Sequence, residues 1–300
     1  MNVIVLGSSG FVGKTVCRHL MAQNISVIGM DTVASADNKL YRFYESGISS
    51  QLFSEILKEQ EIAYVINAAG KASVRDSFDE PYADFTHNTV LTHVVLDAIH
   101  RYSPATRFVL LSSAAVYGNP ERLPVLETDS LNPISPYGFH KQQSELIARE
   151  FYTCFGISSV VLRVFSCYGA GQRKLFLWDL CNKAMAGKKI ILKGCGNESR
   201  DFVHVDDVAC CITHLIEKNL QGFEIFNLAS GKEYSIRDTA LLLAAKLGRG
   251  NEIVFEGTKN TGNPDNWVAD TSKLQQTGFS IQTPFEKGIG AYAEWFKTVV

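Results

Sequence analysis

"VLGSSGFVGKT" (residues 5–15) places Gly7, Gly10 and Gly13 between a short apolar run and a stretch of helical periodicity. A chain that leaves a buried strand and enters a helix within a few residues needs positions without Cβ. The helix N-terminus then points unpaired N–H groups and a partial positive charge at whatever lies there, and a pyrophosphate suits it best. Asp31 closes the second apolar run, 18 residues past Gly13, where a carboxylate can hold a ribose 2′-hydroxyl. The same carboxylate repels a 2′-phosphate, which favours NAD over NADP.

Short apolar runs alternate with amphipathic stretches outward from this turn. Residues 2–7, 26–31, 64–69, 108–113 and 159–165 read as strands, and residues 11–23, 50–60, 82–102 and 136–155 as helices. That alternation predicts βαβ units around a buried parallel sheet, a Rossmann-type doubly wound α/β fold. The 136–155 helix has its start written in Ser135, an N-cap residue, followed by Pro136 at the first helical position. After residue 165 glycines and turns become frequent, and helices are expected over 175–187 and 205–218, with a strand over 224–230. Ser235 to Asp238 carries a capping-box pattern. The expected division is a cofactor domain over 1–165, also receiving the 224–230 strand, and a smaller mixed α/β substrate lobe over 166–300.

Composition narrows the function classes. The 300 residues carry a formal net charge of −2, with no basic patch interleaved with aromatics, so nucleic acid is not an expected partner. No apolar run reaches the length of a membrane span, and no basic leader precedes residues 3–7, so the chain is expected to remain in the cytosol, off the membrane. Seven scattered cysteines form no C-x-x-C pair, and the seven histidines show no metal-binding spacing. Reduced thiols and the absence of a metal site are expected.

"FVLLSSAAVYG" (108–118) and "YGFHK" (137–141) follow the glycine turn in order. A Tyr-x-x-x-Lys pair alone is close to chance, but in this order the chain resembles the extended short-chain dehydrogenase/reductase superfamily. More narrowly it resembles the NAD-dependent epimerase/dehydratases that act on nucleotide sugars. "LRVFSCYGAGQ" (162–172), "RDFVHVDDVA" (200–209), "FNLASG" (226–231) and "ADTSK" (269–273) extend the similarity to about residue 290. The resemblance implies Tyr137 as acid/base, Lys141 as its partner, and Ser113 as a hydroxyl on the same substrate oxygen. It places Gly7, Ser9, Gly10, Phe11, Val12, Gly13 and Asp31 on NAD, with Ala68, Ala69, Gly70, Asn88, Ser112, Tyr137 and Lys141. Lys71, Ser73, Ser113, Ala114, Tyr137 and Ser166 would line the sugar pocket. Arg200 and Lys259 would face the substrate diphosphate, and a homodimer through the 82–102 and 136–155 helices is implied.

These residue types suit alcohol oxidation, which removes hydride from carbon and a proton from oxygen. Free tyrosine, with a pKa near 10, is a poor neutral-pH base. An ammonium one helical turn away and a positive nicotinamide ring are expected to lower that value. Family dehydratases carry an Asp-Glu pair after the strand-end hydroxyl, and sugar-acid decarboxylases keep a glutamate there. This chain has Ala114 and Ala115. Epimerisation at a sugar C4 and reduction of a 4-keto-6-deoxysugar by NAD(P)H both remain, and Asp31 favours the epimerase. A non-catalytic dinucleotide sensor or scaffold is the remote alternative. Ser166 replaces the asparagine many relatives have, and Asn260 the usual arginine, which loosens any assignment to one sugar pair.

Overall fold

The computed structural model describes residues 1–47, 51–187, 189–249, 252–258 and 262–300. In chain order its first half comprises β1 (Asn2–Leu6), α1 (Phe11–Ala22), β2 (Ser26–Asp31), β3 (Arg42–Glu45), α2 (Gln51–Glu59) and β4 (Ile62–Asn67). There follow α3 (Val74–Asp79), α4 (Pro81–Phe85), α5 (Leu91–Tyr102), β5 (Arg107–Ser113), α6 (Pro136–Phe155) and β6 (Ser159–Val164). The second half comprises β7 (Ser166–Tyr168), α7 (Leu175–Ala186), β8 (Lys189–Leu192), β9 (Ser199–Arg200), β10 (Phe202–His204) and α8 (Val205–Lys218). It ends with β11 (Phe223–Leu228), β12 (Tyr234–Ser235), α9 (Ile236–Lys246), β13 (Glu252–Phe255), α10 (Ser272–Gln276) and α11 (Phe285–Val299).

Seven parallel strands form the central sheet in the order β11-β6-β5-β4-β1-β2-β3. The order reverses between β1 and β4, where an open sheet leaves a crevice at its carboxyl edge. Strand periodicity explains the two covered faces. Val3 and Val5 pack with Val16, Leu20, Val208 and Ile212 of α1 and α8. Ile4 and Leu6 point the other way, to Phe53, Leu96 and Phe151 of α2, α5 and α6. Truncating Leu6 to alanine would cost about 2–5 kcal/mol, since its side chain is fully enclosed. The strand expected over 224–230 is β11, which pairs with β6 at the sheet's far end. A separate core unites Leu180, Leu243, Ile289 and Phe296 from α7, α9 and α11.

Three local results differ from the periodicity. The helix expected over 82–102 is α4 and α5 joined by one π-helical turn, Thr86–Val90. There the Asn88 side-chain amide occupies the carbonyl of Asp84 at 3.1 Å, a bond that competes with the regular ladder. The strand β3 carries no clear alternation because it is a half-exposed edge. The helix α11 has its pattern interrupted by Gly288, where a Cβ would lie 2.1 Å from the Tyr168 hydroxyl.

Candidate active site

The glycine turn sits at the carboxyl end of β1. Gly7 has φ +76°, and a Cβ there would lie 2.7 Å from the Ala69 backbone of the turn after β4. A Cβ on Gly13 would lie 2.0 Å from the Gly7 carbonyl oxygen, so α1 rests directly against the turn. Gly10 begins the helix without a side-chain cap, and no acid occupies the first turn, so the amides around Phe11 and Val12 face outward. Asp31 accepts hydrogen bonds from Ser9 N at 3.0 Å and Val33 N at 3.3 Å, which fixes its carboxylate beside the turn. A cleft of about 480 Å³ opens here, lined by Gly7, Gly10, Asp31, Ala68, Ala69 and Gly70 among others. Close backbone approach, uncapped amides and a carboxylate beside the turn fit NAD. Asn88 is buried and does not line the cleft itself, but its amide donates to the carbonyl of Lys71, which does, at 3.2 Å. Lys71 lines the same cleft and is ion-paired with Glu80 at 2.6 Å, while the Ser73 hydroxyl caps α3 through Asp76 N.

The second half of the site lies where β5 and α6 meet. Ser135 caps α6 by accepting from Gly138 N at 3.2 Å, and the helix then presents Tyr137 and Lys141 one turn apart. The Tyr137 side chain is enclosed by Ala114, Ala115, Phe165 and Trp267. It is hydrogen-bonded to Ser113, and Lys141 Nζ lies 5.9 Å from the centre of its ring. Lys141 also donates to the Leu111 carbonyl at 2.9 Å, so helix and strand end are tied together. The three expected residues therefore lie together, with Tyr137 and Lys141 buried and Ser113 half-buried.

Among the protein's own atoms, burial sets the electrostatics of this cluster. Burial pushes the Tyr137 phenol up to about 12, and the Ser113 hydrogen bond only partly offsets it. Burial likewise pushes the Lys141 ammonium down to about 8, opposed by the charges of Asp84 and Glu145. Desolvation penalises the charged form of both groups and is the largest cause of each shift.

The remaining expected residues spread around this pair of features. Ser112 donates its hydroxyl to Glu145 at 2.5 Å and is buried. Ser166 begins β7, next to Phe165 of the enclosing wall. Arg200 stacks over the Trp267 ring at 5.5 Å, and its Nη1 donates to the Ser199 carbonyl at 2.6 Å. Burial pushes its guanidinium down to about 10, so an anion beside it would be favoured. Lys259 lies outside the described residues. Sequence reasoning missed Trp267, whose Nε1 donates to the Gly118 carbonyl at 3.0 Å, although it stands just before "ADTSK". It also missed Ser77, which accepts from Tyr137 N at 3.2 Å and had no motif around it.

Among the described residues no helix is long and apolar enough to cross a membrane, and no acid, histidine or cysteine cluster could hold a metal. Comparison with known proteins gives the same picture as the geometry. The chain is 29% identical to the UDP-glucose 4-epimerase of Lactobacillus helveticus over 306 residues, covering 92% of this chain and 90% of that one. The structure superimposes on the UDP-glucose 4-epimerase of Thermotoga maritima solved with UDP-glucose, with TM-score 0.91 and 26% identity over 99% of both chains. It superimposes on the Thermus thermophilus UDP-glucose 4-epimerase complex with NAD with TM-score 0.89 and 25% identity over the full length of each. The NAD dependent epimerase/dehydratase family model matches residues 3–229, which span the glycine turn, the buried Tyr137 cluster and β11. The chain belongs to that family and is an NAD-dependent enzyme.

Proposed function

We propose that the chain is a nucleotide-sugar 4-epimerase, with UDP-hexoses as its substrate class. The observation that carries this reading is the wall around Tyr137. Ala114 and Ala115 are buried in the same apolar cluster as Tyr137, at the positions where relatives that lose water or decarboxylate carry an acid. Ser113 bonds the Tyr137 side chain and Lys141 stands one turn away, a set suited to chemistry at a single oxygen, which is what exchanging an alcohol and a ketone requires.

In this reading NAD, held by the glycine turn and Asp31, supplies a reversible hydride acceptor. Tyr137 removes the proton from the 4-hydroxyl as the carbonyl forms and returns it to the oxygen when the opposite face is reduced. Ser113 donates to that oxygen and orients it. Lys141, anchored on the Leu111 carbonyl, contributes a positive charge that favours the phenolate once a second cation lies beside the ring. Arg200, with Lys259, takes the diphosphate, and Ser73, Ser166, Lys71 and Ala114 border the sugar. Residues 1–165 serve as the cofactor domain and 166–300 as the substrate lobe. Seven free cysteines suit a reducing compartment, so we place the reaction in the cytoplasm. Phe139 and Leu146 are 49% and 57% exposed one heptad apart on α6, and we assign that face to a second copy of the chain.

The test is to denature the purified protein, identify the released nucleotide by mass spectrometry, and then assay UDP-glucose conversion to its C4 epimer. NAD released and epimer formed is the expected result. A site that releases nothing and prefers NADPH would replace the epimerase by a one-way ketone reductase.

A further inference from the structure

Behind the Tyr137 cluster lies a buried ion pair that the proposed reaction does not use. Glu145 and Arg163 are 4% and 2% exposed. Arg163 Nη2 donates to Glu145 Oε2 at 2.7 Å, and its Nε reaches both carboxylate oxygens at 3.1 and 3.2 Å. Glu145 Oε1 also accepts the Ser112 hydroxyl at 2.5 Å. Arg163 Nη1 continues to the Tyr117 hydroxyl at 2.8 Å and the Glu127 carbonyl at 2.9 Å, and Tyr117 donates to Asn227 of β11 at 2.6 Å.

Stability alone does not account for this pair. Desolvating two charges roughly cancels their attraction, and well-packed apolar residues of similar volume usually serve as well. Its position is more telling. Glu145 lies one helical turn past Lys141 and two past Tyr137, on the same stripe of α6. Through Ser112 it grips the three-residue strand end that carries the Leu111 acceptor of Lys141 and the Ser113 partner of Tyr137. Arg163 fastens the same carboxylate to β6, so one group registers α6, β5 and β6 against each other.

Resting on the functional reading above, we propose that Glu145 and Arg163 are positioning residues, which hold Tyr137, Lys141 and Ser113 in register and keep the charge around Lys141 balanced. The charged and titratable groups acting on Lys141 come from every side. Asp84 from α4 and Glu145 from α6 act on it directly, the Tyr137 ring of α6 lies beside it, and His140 of α6 and Arg163 of β6 bond those two carboxylates. Asp84 bonds His140 at 2.5 Å, while Glu145 and Arg163 pair opposite charges with each other. Neutralising Glu145 while keeping its shape uncovers a buried cation beside the cluster.

The experiment compares Glu145→Gln and the double variant Glu145→Met/Arg163→Met with the wild type, all as NAD complexes. Thermal melting, UDP-hexose kinetics and the Tyr137 titration by ¹³C-tyrosine NMR are measured on each. Glu145→Gln is expected to lose roughly tenfold in kcat with KM within about twofold, because binding surfaces are untouched while alignment is not. Its Tyr137 titration moves down by about one unit, since an uncovered positive charge favours the phenolate. The double variant melts close to the wild type and regains the wild-type titration, yet stays about tenfold slow. Wild-type kcat in the folded double variant overturns the proposal, and so does an unmoved Tyr137 titration in Glu145→Gln. If the wild type converts no UDP-hexose, the functional reading fails instead, and the tyrosine titration still decides the role of the pair.

Discussion

The glycine turn and the Tyr137 cluster sit at the carboxyl edge of the same sheet and are built on opposite principles. At the turn the groups we propose to work are backbone amides, and the sequence requirement is the lack of side chains. Gly7 and Gly13 approach other backbone so closely that a single methyl group cannot be inserted. At the cluster the groups we propose to work are three side chains from two elements, set among apolar neighbours until Tyr137 is 7% exposed. The turn stays open as a cleft, because a dinucleotide must lie along it. The cluster is closed, because low polarity lets one neighbouring charge shift a proton affinity.

That contrast predicts different ways of failing. At the cluster, Tyr137→Phe removes only the hydroxyl. Turnover should fall by about 10²–10⁴-fold while NAD still co-purifies, as judged by single-turnover assay and nucleotide release. Retained turnover would move the acid/base elsewhere. At the turn the effect is smaller and of another kind. Gly13→Ala forces a Cβ into the Gly7 carbonyl, and thermal melting should register a loss of about 1–3 kcal/mol, with weaker NAD binding by calorimetry. A variant with unchanged melting and NAD affinity would mean the turn is not built around a close approach. The smallest effect is in the pH profile. Lys141, pushed down to about 8 by burial, is charged below that value and loses its proton above it. The kcat/KM for a UDP-hexose should therefore decline above about pH 8, with no matching decline in NAD binding.

The two regions were also unequally legible. The turn could be read almost completely, because strand, glycine spacing, helix and acid follow each other within 31 residues. Tyr137, Lys141 and Ser113 were legible as an ordered set, since one helix and one strand end carry them. Their electrostatics were not. The expected fall in the Tyr137 pKa rests on the Lys141 ammonium together with a positive nicotinamide ring, whereas among the protein's own atoms burial outweighs the Ser113 hydrogen bond and the value rises. Residues that act from a distance in sequence left no local signal. Ser77 meets Tyr137 across 60 positions, and Trp267 reaches Gly118 across 149. The second lobe was read least well, because short strands such as β9 and β12 pair antiparallel over only two residues each. A run that short shows no periodicity. The helix α11 adds glycines at 288 and 290, one of them required by contact with Tyr168, to a pattern that would otherwise be amphipathic.

The central claim, that hydride leaves C4 and returns to the same carbon without release, is tested most directly by running UDP-hexose epimerisation in D₂O and examining the product by NMR. The account predicts that the C4 position retains its original hydrogen, with no deuterium incorporated and no added NADH or NADPH consumed. Deuterium at C4, or product formation only in proportion to added reduced cofactor, would contradict it.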